Sequence, residues 1–577
     1  MTTIPAPAAA QPPQAVAPAH TGGAARAFAP WAVPWRSTLL LILAATLLRL
    51  VYIAWLCPYT LIEDEAHYWE WSRRPGLSYY SKGPGLAWSV AASTALAGDT
   101  EFGVRLPAVL FAAVGALGIA ALARSATGDT RAGFFAAACT LLTPAFQLGG
   151  ILLTVDMPYV ACWAFACLAA WHALTRASGR AWIALGLCLG IGFLFKYTIL
   201  ALLPGLVLFG ILRRRDLRLA PRASLWITAA AALFGLCTLP VVIWNARHGW
   251  PTLHHLLGHA ALPGGDMPAQ NGRAIHSFEW LGEYLAAQAA LIGPVLAVIA
   301  FAIARASAPA VRTRDGGEAW SGRLLLICAA APILIGYMVL SLWTQSEGNW
   351  AVAGHAPLLA LAGWGVAEAG TRRRAAPRSR RHPLWTAWRV SLVFGVVLGF
   401  GPLKLDWVDG AWAMRRVEAG LRWMGWLGEG RTLVPMGRLA GARAMAADAA
   451  ELGERLREET GREPFYVAEH YGRASLLAFY LPGRPIAYCS SHQSGKGRRT
   501  QYDFWPETDL DDLGRLGERP AVLIGSTLER WSTAFERVTP VGRLPHETKK
   551  DRMTFVGFGY RGFGPPESPA GDQEDRR

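Results

Sequence analysis

The sequence predicts a polytopic α-helical membrane protein of about eleven transmembrane helices with a soluble α/β domain at its C-terminal end. Three observations predict it. Of the 577 residues, 53% are hydrophobic and only 17% charged, whereas soluble domains carry about a quarter charged residues. Apolar runs near the roughly 20 residues needed to cross a bilayer follow one another from residue 37 to residue 403. From about residue 404 the composition turns soluble, and short β-like runs alternate with helical ones. This excludes disorder as the main state and excludes a small disulfide-stapled domain. The eight cysteines form no CxxC pair and six lie inside apolar runs, as small buried hydrophobes do.

Taken in order, residues 1–36 form an Ala/Pro-rich cytoplasmic stretch too poor in periodic apolar residues to fold. It has no charged n-region ahead of a short apolar core, so the first span, 37–57, is expected to be an uncleaved anchor. Further spans are expected at 105–123, 132–151, 157–174, 181–195, 198–212, 223–244, 281–304, 322–343, 350–369 and 388–403. Residues 181–212 read as a tight helical pair turned at Lys196-Tyr197, and the shorter run 84–98 as interfacial or re-entrant. The soluble domain, 404–563, opens on a helix at 441–459 and has strands at Phe465-Tyr466-Val467-Ala468, Pro485-Ile486-Ala487-Tyr488 and 521–525. A disordered tail, 564–577, follows.

The net charge of +15 reports orientation rather than a nucleic-acid partner, because the arginines gather in clusters between spans. With the N-terminus inside, the even-numbered turns must be basic. They are: Arg124 to Arg131, Arg176 to Arg180, Arg213 to Arg218, Arg305 to Arg323, and the six arginines from Arg372 to Arg381. The opposite loops hold Glu63, Asp64, Glu65, Asp156 and Glu347. The N-terminus is therefore expected on the cytoplasmic side and the C-terminal domain outside, on the periplasmic or exoplasmic side.

Those outer loops carry the candidate chemistry. Glu63-Asp64-Glu65-Ala66-His67-Tyr68-Trp69 follows the first span, and Tyr79-Tyr80-Ser81-Lys82-Gly83-Pro84 follows that. Carboxylates at the bilayer surface suit general-base or metal work, and a lysine answers phosphate as a compact point charge. A solvated acidic loop is the structural alternative. Arg105 opens the second span on the same side. Asp156 sits in a tight outer turn where a carboxylate is costly without a partner, although it can also cap the following helix. Lys196 and Glu347, the latter with Asn349 and Trp350, face the same compartment; snorkelling and ordinary capping are their structural alternatives. Ser494-Gly495-Lys496-Gly497 lacks the first glycine and the Ser/Thr of a phosphate loop. His255 and His259 lack the glutamate of a zinc-protease helix, since Leu256 follows the first histidine.

The order DEAHYW, YYSKGP, VRLP, TVDMP resembles the GT-C superfamily of polyprenyl-phosphate-sugar-dependent glycosyltransferases, in particular bacterial protein-O-mannosyltransferase-like enzymes and lipid A aminoarabinose transferases. The resemblance covers roughly 37–370 and implies a GT-C fold. It implies an essential carboxylate at Asp64, a donor-phosphate lysine at Lys82 and a second site carboxylate at Asp156, with Lys82-Gly83-Pro84 standing where the family has Lys-Pro-Pro.

The expected activity is transfer of a sugar from a polyprenyl phosphate to a hydroxyl or phosphate on protein, lipid A or glycan, with inversion. Asp64, Glu65 and Asp156 are the expected catalytic residues. Lys82, Arg105, His67, Tyr68, Lys196 and Glu347 are expected to bind substrate. No metal ligand set and no cofactor is implied, a divalent cation being left open. A lipid-linked sugar transporter or flippase is the alternative, and an O-antigen ligase or polymerase a third. The C-terminal domain, with Tyr502, Phe504 and Trp505 beside Arg484, Arg498 and Arg499, is expected to select the acceptor and to do no chemistry.

Overall fold

The computed structural model describes residues 33–266, 278–309, 316–375, 383–400, 412–423, 439–494, 499–547 and 552–564. The expected Ala/Pro-rich N-terminus, apart from residues 33–36, the Gly495-Lys496-Gly497 loop, the junction at 403/404 and nearly all of the expected tail lie outside them.

As far as the described residues reach, every expected apolar run falls on helical segments, though not every one on a single spanning helix. Among the described residues, six helices have the length and apolarity to cross a bilayer: Trp35–Leu56, Glu101–Thr127, Asp156–Thr175, Ala223–Arg247, Trp320–Leu340 and Gly348–Arg372. The expected span at 281–304 is a pair, Phe278–Ile292 and Val295–Ser307, bent by 98°. The bend falls at Gly293-Pro294, where proline cannot continue the hydrogen-bond ladder of the preceding turn. Counted as one span, the pair makes seven. The remaining runs form shorter apolar helices, Thr130–Leu142, Gly179–Phe195, Tyr197–Leu212 and Pro383–Val397. Pro144 ends the first of these and starts a separate short helix, Pro144–Gly149, so 132–151 is not one continuous helix. Helix Gly85–Ala97, with 13 residues, rises only about 20 Å, too short to cross.

Burial sorts the helices into inner and outer ones. Gly348–Arg372 and Asp156–Thr175 are packed inside the bundle, while Trp35–Leu56 and Ala223–Arg247 are mostly bare. On the first helix Leu39, Leu40, Leu43, Leu47 and Leu48 all stand exposed, an apolar surface that suits lipid rather than water.

The C-terminal part forms one five-stranded sheet of order β2-β1-β3-β5-β4. Here β1 is Phe465–Ala468, β2 Ala487–Cys489, β3 Ala521–Ile524, β4 Phe535–Gly542 and β5 Thr554–Tyr560. The first three strands run parallel, with helix Tyr471–Tyr480 crossing from β1 to β2, and β5 and β4 add antiparallel. Helix Ala442–Thr460 precedes the sheet. β4 and β5 extend the sheet beyond the three expected strands. β4 is mostly solvent-facing, so its apolar signal is weak.

The sheet domain is joined to the juxtamembrane segment by a shared core. Leu61, Trp69, Trp71 and Tyr79 pack in one cluster with Leu476, Leu477, Phe479 and Tyr502. Tyr502 and Trp505, buried there, therefore act as packing residues. Polar ties surround the cluster: Tyr480 donates to Glu101 at 3.0 Å and accepts from the Leu61 amide at 2.7 Å, and Arg74 pairs with Glu507.

Candidate active site

The acidic motif starts a helix, Glu63–Ser72, with all three carboxylates in its first turn, where the helix dipole favours negative charge. Successive residues turn by about 100° around a helix, so three adjacent carboxylates cannot face one place. Glu63 turns to the sheet domain, with Arg552 Nη1 at 3.2 Å and Arg473 Nε at 3.8 Å. Asp64 stays exposed toward a cavity. Glu65 is buried: its Oε1 accepts from Arg105 Nε at 2.9 Å and from the Leu153 amide at 2.9 Å, and its Oε2 from Arg105 Nη2 at 2.7 Å and from the Ile62 amide at 3.0 Å. Arg105 also donates to the carbonyls of Tyr59 and Thr60. Glu65 and Arg105 thus face each other beneath the loop and do not line the cavity.

The lysine loop is held against the end of helix Gly179–Phe195. A Cβ on Gly83 would stand 2.4 Å from the Leu194 carbonyl oxygen, so the close approach requires glycine. Lys82 lines the same cavities as Lys196, which ends that helix in an extended conformation. Asp156 is the first residue of helix Asp156–Thr175, behind Val155 at the N-cap position. Oδ1 accepts from Lys196 Nζ at 3.1 Å and Oδ2 from Asn349 Nδ2 at 2.7 Å. Asp156 therefore fixes Lys196.

The cavity between these elements has a volume of about 420 Å³. Asp64, His67, Tyr68, Lys82, Asp156, Lys196 and Glu347 all line it, so seven of the nine expected residues converge. Beside it lies a more apolar cavity of about 300 Å³, walled by Phe195, Tyr197, Leu256, Tyr337 and Leu340. Lys82, Lys196, His255, His259 and Trp350 border both. Burial, then the nearby carboxylates Asp64 and Asp156 with Tyr471, push the Tyr68 phenol well above its ordinary value, so it remains a donor.

Sequence reasoning missed part of the wall. His255 and His259 line both cavities, their Nε2 atoms 3.1 Å apart, and His255 Nδ1 lies 3.3 Å from Asp266. Among the described residues, no group of three or more His, Cys, Asp or Glu is arranged for a metal. Tyr471, Arg499, Thr500 and Gln501 come from the sheet domain. Arg499 is one of the arginines that the sequence sets beside the aromatic run, whereas no local motif marks Tyr471, Thr500 and Gln501, because only the docking of the domain brings them there.

His67 sits at that joint. Trp71 Nε1 donates to its Nε2 at 3.0 Å, which assigns the proton to Nδ1 and makes it the donor to Ser475 Oγ at 3.0 Å. Burial, with Lys82 and His470 adding to it, holds the imidazole pKa well below the usual histidine range. The unfolded chain takes up that proton near pH 6.5 and the folded one resists it. His67 thus contributes stability that is present above about pH 6.5 and lost as pH falls from there toward its folded pKa. His67→Gln is expected to flatten the decline of Tm between about pH 6.5 and 5. A variant whose Tm falls as steeply as the wild type's would contradict this.

Comparison with known proteins gives a consistent picture. The family described as dolichyl-phosphate-mannose-protein mannosyltransferase matches residues 81–244. The lipid A galacturonosyltransferase RgtD of Rhizobium johnstonii is 29% identical over 330 residues, 57% of this chain and 65% of that protein. The undecaprenyl phosphate-alpha-4-amino-4-deoxy-L-arabinose arabinosyl transferase of Pseudomonas aeruginosa is 37% identical over 139 residues, 23% of this chain and 25% of that protein. The crystal structure of ArnT from Cupriavidus metallidurans bound to undecaprenyl phosphate superposes with a TM-score of 0.59 at 17% identity, over 92% of this chain and all of that one. The chain is thus similar in sequence to these sugar transferases over less than two thirds of their length, shares its fold with the ArnT structure, and has the long apolar helices of an integral membrane protein. The transporter reading is not favoured.

Proposed function

We propose that the protein transfers a sugar from a polyprenyl phosphate to a hydroxyl or phosphate of lipid A, of another glycan or of protein, at the periplasmic face and with inversion. The observation that carries this reading is the pair of adjoining cavities, one polar and one apolar, with Lys82 and Lys196 on their common border. A lipid phosphate sugar has the same three parts in the same order. Its first isoprene units suit the apolar cavity, its phosphate the two lysines, and its sugar the polar cavity.

Asp64 takes the proton of the acceptor hydroxyl. The oxygen attacks the anomeric carbon, the bond from that carbon to the phosphate oxygen breaks, and polyprenyl phosphate leaves from the opposite face. One displacement inverts the carbon. Lys82 and Lys196 answer the charge growing on the departing phosphate. Asp156 and Asn349 hold Lys196 to that task. Glu65 and Arg105 brace the loop rather than contact substrate, a revision of the roles expected from sequence. Tyr68 donates to a sugar or phosphate oxygen, and Glu347 bounds the sugar's side.

The test is a panel of undecaprenyl-phosphate sugars carrying 4-amino-4-deoxy-L-arabinose, galacturonic acid or mannose, offered with lipid A. Lys82→Ala and Lys196→Ala are expected to lower kcat about a hundredfold, because a charge that strengthens its contact as the phosphate leaves acts in the transition state. Unchanged kcat and KM in both variants would place the phosphate elsewhere.

A further inference from the structure

We infer that the sheet domain completes the catalytic site through Tyr471, a positioning residue for Asp64; the inference rests on the proposed role of Asp64 as base. Tyr471 opens helix Tyr471–Tyr480, and its hydroxyl donates to Asp64 Oδ1 at 3.1 Å. It reaches across the joint between the two parts of the chain.

The approach is built in. A Cβ on Gly472 would stand 2.4 Å from Glu63 Cβ, so glycine lets the start of this helix close on the acidic motif. The Tyr471 ring packs on the His67 ring, centroids 4.5 Å apart. One turn on, Ser475 Oγ accepts from His67 and donates to the Tyr471 carbonyl at 2.8 Å, while Tyr502 donates to Ser475 at 2.9 Å. With His67 Nε2 already accepting from Trp71, each of these protons has one consistent direction, and the tyrosine backbone is fixed from both sides.

The consequence is chemical. A carboxylate on an exposed first-turn position has several rotamers, and a base works only from the one that meets the acceptor's proton. The Tyr471 hydroxyl occupies Oδ1 and selects one orientation, which leaves Oδ2 to face the cavity. The domain expected to do no chemistry would thus set the geometry of the base, and its docking would switch the site on. Arg499, Thr500 and Gln501 line the cavity from the same domain.

The test uses the full-length protein and whichever donor of the undecaprenyl-phosphate panel the wild type turns over. Tyr471→Phe keeps the ring stack and removes the hydroxyl. It is expected to lower kcat about tenfold, with donor KM within about twofold of wild type. Because Tyr471 acts through Asp64, adding Tyr471→Phe to Asp64→Asn should cause no further loss. Arg443→Ala, which removes an ion pair with Glu101 at the edge of the joint, should leave kcat unchanged. Tyr471→Phe at wild-type rate, with Asp64→Asn inactive, overturns this inference and leaves the proposed function standing. A loss that repeats in full in the Asp64→Asn background, or that Arg443→Ala reproduces, makes Tyr471 a docking residue only and also overturns it. Asp64→Asn at wild-type rate removes the base assignment and this inference together.

Discussion

Asp64→Asn is expected to lower the rate of sugar transfer about a hundredfold to ten-thousandfold while leaving the protein folded. The asparagine keeps the shape of the side chain, and its carbonyl oxygen can still accept from Tyr471, so only the capacity to take a proton is lost. The other carboxylates of the motif, and Asp156, cannot stand in. Glu63 is turned to Arg552 and Arg473, and Glu65 lies buried under the loop with both oxygens engaged. Asp156 is tied to Lys196 and Asn349. Rate measurements on purified protein, with Tm recorded alongside, check the expectation. Wild-type turnover in the variant would require a different base.

Glu65→Gln should behave in the opposite way, lowering stability by about 3–5 kcal/mol. Arg105 is 1% exposed and Glu65 fully buried, and the pair is bidentate. Removing one charge leaves the guanidinium uncompensated in a site closed to water, a far larger penalty than loss of a surface pair. The same glutamate receives the Ile62 and Leu153 amides, so its loss loosens the motif from the turn that carries Asp156. Replacing both partners by apolar residues, Glu65→Leu with Arg105→Met, should recover much of the stability. Thermal unfolding in detergent measures this. A Glu65→Gln protein with unchanged Tm and reduced kcat would return Glu65 to the chemistry.

These contrasting expectations show what the sequence makes legible. Apolar runs report helices well, because a segment that must satisfy its backbone groups in lipid has few alternatives to helix. Breaks are less legible. Gly293-Pro294 and Thr143-Pro144 interrupt two runs that hydropathy reads as continuous. For the site, charges in short loops between apolar runs point to Asp64, Lys82, Asp156 and Lys196, which all line one cavity. That pattern does not tell Asp64 from Glu65. That distinction is angular, set by the turn of the helix and by Arg105 waiting 40 residues on. Tyr471 is less legible still: it lies 407 residues from its partner in sequence, and nothing local links a tyrosine after β1 to an aspartate after the first span.

The central claim is that a lipid phosphate sugar is cleaved and its sugar transferred at the joint of the two cavities. Mass spectrometry, with NMR of the anomeric proton, of the products formed by purified protein from the undecaprenyl-phosphate sugar panel and lipid A tests it most directly. The account predicts that one donor disappears as undecaprenyl phosphate and glycosylated acceptor form in equal amounts, and that the new bond has the opposite anomeric configuration. Release of the sugar with retained configuration, or intact donor moved across a vesicle bilayer with no undecaprenyl phosphate formed, would contradict it.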